Sequence, residues 1–321
     1  MTDRTKSTSR RTLLAGAVGV AATAALPLAV RAAPATSFFA RTGLPIGVQL
    51  YSLGPELAAD LDRQLAVLAA IGFKTVELAG FLGRTPKALR AAFDRAGLAC
   101  PSAHIKFGAA AATGAEPGLT DDLGPLAEAM HVIGAGTVIM PFSIMPKPVP
   151  GQPATPPQAA FGMTADDWKH TADFLNAKGE ALKAYGLKLG YHNHNPEFAP
   201  LGETFGLEIL LRNTDPDRVL FEMDAGWVLA AGRDPVELLR AHPGRFRLMH
   251  VKDLKATTRP NFAVHMDPAD VGQGVGDWAK ILPAAYDAGV RGFFIEQEPP
   301  FARSRLESMK TGFDYLSQLS A

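Results

Sequence analysis

The chain has only one cysteine, Cys100, so no disulfide can form within it. Beside Pro101 in an apolar stretch, that thiol reads as a small buried hydrophobe. Net charge is missing as well, with 32 Lys and Arg against 32 Asp and Glu. Such a balance leaves no basic footprint for nucleic acid or for an anionic membrane surface. Beyond residue 30 no apolar run is long enough to span a bilayer. What remains is the composition of a globular protein long enough for one large domain or two small ones.

The first residues stand apart. Ser9-Arg10-Arg11-Thr12-Leu13-Leu14 leads into an Ala/Gly/Val/Leu-rich run reaching Val30, followed by Arg31-Ala32-Ala33-Pro34-Ala35. A charged start, an apolar middle and small residues at the far end describe an export signal, and the paired arginines suggest the twin-arginine route. Residues 1–35 are therefore expected to be signal and spacer, with cleavage near Ala32 to Ala35. The mature protein, residues 36–321, is expected in the periplasm or outside the cell, with no stable membrane association. Losing residues 1–32 removes Arg4, Lys6, Arg10, Arg11 and Arg31 but only Asp3, which leaves 27 basic against 31 acidic residues.

From residue 45 the chain alternates regularly. Short runs rich in Val, Ile, Leu and Phe near 46–51, 74–79, 99–104, 136–141, 187–192, 219–224, 246–251 and 291–297 read as strands buried on both faces. Helical spacing fills the intervals: Leu57–Ile71, Pro86–Ala96, Leu126–Ile133, Trp168–Tyr185, Glu208–Arg212, Val236–His242, Trp278–Ala288 and Leu306–Leu319. Gly72, Gly97, Gly186 and Gly289 stand where a helix must end before the next strand. Eight such units predict an α/β protein with a closed (β/α)8 barrel as its single domain. An open sheet binding a dinucleotide would open its first turn with clustered glycines, whereas Tyr51-Ser52-Leu53-Gly54-Pro55-Glu56 has one glycine and a proline. Gly272-Gln273-Gly274-Val275-Gly276 follows no strand and reads as a flexible loop over the site. Met145–Met163, with six prolines, is either a stiff wall of the pocket or a surface excursion.

In a barrel the strand C-termini ring one pocket. Here they carry Gln49, Glu77 and His104, then His192 and His194 from Tyr191-His192-Asn193-His194-Asn195. Asp224, His250 with Lys252, and Glu296 with Glu298 complete the ring. Alternate residues of an extended segment share a side, so His192 and His194 point together. Burying so many titratable groups is costly unless a ligand or metal pairs with them. Imidazole with carboxylate suits a divalent ion such as Mn, Zn, Co or Mg, and no thiolate is at hand. Blander roles compete: Glu77 as a helix cap, His104 as a core histidine, Lys252 with Asp253 as a surface ion pair. His131, His170, His242 and His265 fall in helices or loops and read as solvated.

Tyr-His-Asn-His-Asn at 191–195, Asp224-Ala225-Gly226-Trp227, Gly232-Arg233-Asp234-Pro235, His250-Val251-Lys252-Asp253, Gly272-Gln273-Gly274 and Ile295-Glu296-Gln297-Glu298 together resemble the sugar phosphate isomerase/epimerase family. This is the xylose-isomerase-like TIM barrel group that also includes inosose dehydratase and endonuclease IV. The resemblance runs from about Gly47 to Leu319 and implies a divalent ion held by His192, Asp224, His250 and Glu296. The chain departs from the family's ketose epimerases in one respect: they carry a catalytic glutamate where His192 stands.

The resemblance implies a small-molecule sugar substrate whose C–H beside a carbonyl is acidified by the ion. Glu296, Glu298, Glu77 and His194 are the candidate bases, with Lys252 and His104 as candidate proton donors. Gln49, Asn195, Trp227 and Asp253 are candidate substrate contacts. Reprotonation gives epimerisation or aldose–ketose isomerisation, and loss of a β-oxygen gives a lyase, for which 3-keto-glycosides are suitable substrates outside the cytoplasm. A sugar isomerase/epimerase on an unphosphorylated substrate is the leading expectation. The lyase and a non-catalytic sugar-binding protein are alternatives, a homo-oligomer is allowed, and a slightly acidic exported chain suits DNA badly.

Overall fold

Eight short parallel strands carry the apolar runs foreseen above. In a computed structural model they are β1 (Ile46–Gln49), β2 (Thr75–Ala79), β3 (Ala99–His104) and β4 (Thr137–Met140), then β5 (Lys188–His192), β6 (Val219–Asp224), β7 (Phe246–Val251) and β8 (Gly292–Ile295). The structure describes residues 36–107, 116–120, 122–145 and 162–321. The expected export signal and most of the proline-rich segment lie outside the described residues. Each strand pairs with its sequence neighbours and β8 pairs back to β1, with Gly47 opposite both Phe294 and Thr75. The sheet is a closed (β/α)8, or TIM, barrel, and the single-domain expectation holds for the described chain.

The strands are buried on both faces because helices cover the outside, which explains why their sequences do not alternate. Trp278, Phe73, Phe93 and Phe246 are fully buried in the layer between helices and sheet. Helices end where glycine allows a left-handed turn, as at Gly97 with φ 67°. One expected helix is corrected. Leu57–Ile71 is two helices, α1 (Gly54–Ala59) and α2 (Leu61–Ile71), broken at Asp60. Asp60 leaves helical geometry (φ −151°) and its carboxylate accepts from Arg63 N–H, so it starts the second helix instead of continuing the first.

The segment after β7 also differs from expectation. Asp253 neither pairs with Lys252 at the surface nor joins the substrate wall. It is fully buried, and its carboxylate accepts from the backbone N–H of Gly272, Gly274 and Gly276 and from Trp278 Nε1. A Cβ at Gly274 would sit 2.2 Å from an Asp253 oxygen, so only glycine admits this approach. The glycine loop expected to be flexible is therefore pinned by one carboxylate. Successive residues of an extended chain face opposite ways, so Lys252 turns inward while Asp253 turns to the loop.

Candidate active site

The strand ends bring their polar side chains into one buried cluster. Ligand-type atoms of His192, Asp224, His250 and Glu296 all lie within 4.8 Å of one another. His250 Nδ1 is 2.6 Å from Glu296, and Asp224 Oδ2 is 3.8 Å from both His192 Nε2 and His250 Nδ1. Asp224 also caps the short helix α3 (Ala225–Ala230) by accepting from Trp227 N–H at 2.9 Å. Asn193, on the opposite face of the His-Asn-His run, bonds the backbone of Asp224 through both its carboxamide atoms. That clamp ties the end of β5 to the end of β6.

A second layer lies behind the first. Glu222 sits two residues before Asp224 and so shares its side of β6. Its Oε2 is 2.8 Å from His104 Nε2, 3.1 Å from His192 Nδ1 and 3.3 Å from His250 Nε2. Glu77 reaches His250 Nε2 at 2.7 Å, and Gln49 and Ser102 donate to its two oxygens. Carboxylates behind imidazoles fix ring orientation and tautomer. Sequence reasoning missed Glu222, although the two-residue period of the strand could have found it. Gln49, expected to touch substrate, instead holds Glu77.

Lys252 balances the charge. Its Nζ lies 2.9 Å from Asp224 and 3.0 Å from both Glu296 and Glu298, and it is 1 % exposed. Burial alone would discharge it, but those carboxylates hold its pKa well above the ordinary value. Gly226 makes room: a Cβ there would lie 2.7 Å from Lys252 Cγ and 2.8 Å from its carbonyl.

The imidazoles divide into two kinds. Burial works against the charge of His104, yet Glu77 and Glu222 lift it to about 9. His250 is likewise raised against burial, by Glu222 and Glu296. Burial and neighbouring cations keep His192 well below its usual value and bring His194 down to about 3. A histidine so reluctant to charge is a weak base. His194 instead serves as a flat wall, stacked on Phe142 at 4.6 Å and 12°. Burial lifts Asp224 to about 6 against the pull of Lys252, while Lys252 and His250 overcome burial to hold Glu296 low.

This donor set fits a divalent ion. Glu222 Oε1 is buried without a hydrogen-bond partner, Asp224 Oδ2 faces two imidazoles at 3.8 Å and Lys252 Nζ at 2.9 Å, and His192 keeps a neutral ring with a lone pair to offer. Imidazole–carboxylate sets of this kind suit Mn, Zn, Co or Mg.

A cavity of about 550 Å³ opens over the cluster, bordered by His104, His192, His194, Trp227, Glu296 and Glu298. Tyr51, Phe107, Phe142 and Met266, none of them a candidate from the sequence, also line it, together with His265. Asn195 was expected to bind substrate. It holds the loop instead, donating to Asn261 and accepting from Val264 N–H, and so sets the position of His265 and Met266. Of the histidines read as solvated, His131 and His265 are exposed, the latter at the border of the cavity, and only His242 is half-buried, paired with Glu208 at 3.0 Å. His170 is exposed.

Beside the cluster, Glu197 is 4 % exposed, bonded to Tyr191 Oη at 2.8 Å, and lifted by burial to about 7. A carboxyl raised in the folded state costs stability once pH exceeds its unfolded value, and the full cost is reached above its folded value. Glu197→Gln keeps an acceptor for Tyr191 and removes that cost. Denaturant titrations should show the variant more stable by about 2 kcal/mol at pH 8 and equal to the parent at pH 4. Equal stability at both pH values would mean that Glu197 stays charged in the fold.

A closed barrel that gathers imidazoles and carboxylates at its strand C-termini is built as barrel enzymes are built. The chain belongs to the xylose isomerase-like TIM barrel family, whose match spans residues 65–319. It is 26% identical over 266 residues to an inosose dehydratase of Geobacillus thermodenitrificans, covering 77% of this chain and 87% of that enzyme. An inosose dehydratase of Clostridium perfringens is 25% identical over 250 residues, 77% of this chain and 79% of its own length. Among solved structures, a sugar phosphate isomerase/epimerase of Parabacteroides distasonis superposes with a TM-score of 0.65 at 26% identity, covering 93% of this chain and 98% of its own.

Proposed function

We propose that the protein is a metal-dependent carbon–oxygen lyase that acts on an unphosphorylated keto-sugar or keto-glycoside outside the cytoplasm. The observation that carries this reading is His104. It borders the cavity and is kept protonated by Glu77 and Glu222, ready to give a proton to a departing oxygen. Glu298, which reaches the cavity from beyond β8 without belonging to the four-residue cluster, takes the proton from the carbon beside the carbonyl. The C–H electrons form a C=C bond as the neighbouring C–O bond breaks, and the oxygen leaves as water or an alcohol with the proton of His104. A divalent ion held by His192, Asp224, His250 and Glu296 would act as a Lewis acid toward the substrate carbonyl. Among the described residues the cavity wall has no arginine and Lys106 as its only lysine, which suits a substrate without phosphate. The dehydratase relatives support the same chemistry.

The likeness to a sugar phosphate isomerase/epimerase favours a second reading, in which the proton returns to carbon. Incubating the protein with an inosose and with a 3-keto-glycoside in D₂O separates the two. Release of water or alcohol with an unsaturated ketone is the expected result. Deuterium in intact sugar would favour the isomerase, and neither outcome with either substrate would sink both readings.

A further inference from the structure

We infer that the apolar half of the cavity is a subsite for a planar, apolar aglycone on the leaving oxygen, so that the substrate is an aryl-type keto-glycoside. This rests on the lyase reading. Its ground is an asymmetry in the cavity wall. The strand ends contribute His104, His192, Glu296 and Glu298, whereas Phe107, Phe142, Val264 and Met266 line the cavity with apolar surface, and Tyr51 joins the two parts with its hydroxyl on Glu298 and its ring beside them. Four large hydrophobic side chains are exposed among the described residues, and two of them, Tyr51 at 48% and Phe142 at 46%, line this cavity. Exposed aromatic surface next to a reactive floor marks a place where a ligand is meant to cover it.

The rings there are held in place. Phe142 lies nearly parallel to His194, and Phe107 packs edge-on against Phe174 at 4.9 Å. Tyr51 follows β1 and Phe142 follows β4, three strands apart in the closed order, so the two rings approach the mouth from separate walls. The cavity, about 550 Å³, is larger than one sugar ring needs and falls in the range that encloses a drug-sized ligand. A second sugar would bring several hydroxyls to a wall where His265 and Lys106 are the charged or titratable groups away from the floor, and most would lose their partners. A flat apolar group loses nothing there and gains stacking.

Calorimetric titration of the full chain with methyl β-D-glucopyranoside, phenyl β-D-glucopyranoside and cellobiose tests this. The phenyl glycoside should bind at least about tenfold tighter than the methyl glycoside, the effect of one well-stacked ring. Phe142→Ala should bring that ratio close to one, and Phe142→Trp should preserve it. A ratio near one in the parent protein, cellobiose binding as tightly as the phenyl glycoside, an unchanged ratio in Phe142→Ala, or no binding of any probe would each overturn the subsite. A clear phenyl preference without elimination in the D₂O experiment would leave the subsite standing and sink the lyase reading alone.

Discussion

Asp224→Asn should lower divalent-ion affinity by more than about a hundredfold and abolish turnover while the barrel stays folded. Two different jobs meet on this side chain. Oδ1 caps a helix by accepting from Trp227 N–H, and Oδ2 is the buried oxygen that faces Lys252 Nζ at 2.9 Å and both His192 and His250 at 3.8 Å. Asparagine keeps the cap and the volume and removes the charge, so a loss of ion binding cannot be ascribed to unfolding. Glu222→Gln provides the contrast. Glu222 contacts three imidazoles from behind, so its charge orients ligands, and its loss should weaken ion binding by about 10- to 100-fold. Competition against a chromophoric chelator, with a thermal melt alongside, measures both. An Asp224→Asn protein that holds its ion like the parent would remove Asp224 from the ligand set.

Much of this arrangement was legible in the sequence because burial on both faces leaves a plain mark. Most strands were visible as Val/Ile/Leu/Phe runs, with β3 (Ala-Cys-Pro-Ser-Ala-His) placed by the regular alternation, and the polar residues near the run ends named most of the cluster: Glu77, His104, His192, Asp224, His250 and Glu296. Glu222 escaped because Asp224 alone was taken from its run, although the strand period places Glu222 on the same side. Asp253 was misjudged by adjacency to Lys252, when that same period turns the two apart. The cavity mouth was illegible for another reason. Phe142 and His265 sit on loops, and the path of the second depends on distant partners, the Asn195–Asn261 bonds across 66 residues of chain, while Tyr51 lies in a short 3-10 turn after β1. No local propensity encodes such a contact. Asp60 is intermediate: its capping chemistry is local, but an apolar stripe running through it hid the break.

Lys252→Met is expected to be the most destabilising single change at this site, by about 3–5 kcal/mol at neutral pH in the presence of chelator. Methionine retains the stem that packs beside Gly226 and under Trp227 but withdraws the one ammonium shared by Asp224, Glu296 and Glu298. Three carboxyl groups are then left facing one another, two of them almost wholly buried. Each is pushed toward its neutral form, which raises its folded pKa above the unfolded value near 4. A raised carboxyl penalises the folded state only above the unfolded value, so the deficit should shrink as pH falls from 7 toward 4. A divalent ion binds the folded cluster and not the unfolded chain, so saturating Mn should restore part of the loss at pH 7. Denaturant titrations at pH 7 and pH 5, with chelator and with Mn, read all three effects. A variant as stable as its parent at pH 7 in chelator would show that the carboxylates do not depend on Lys252. Restoration by Mn but not by lowered pH would place the ion, and not protons, as the charge that replaces it. The expected outcome is both, because Lys252 and the ion answer the same excess of negative charge at the ends of β6 and β8.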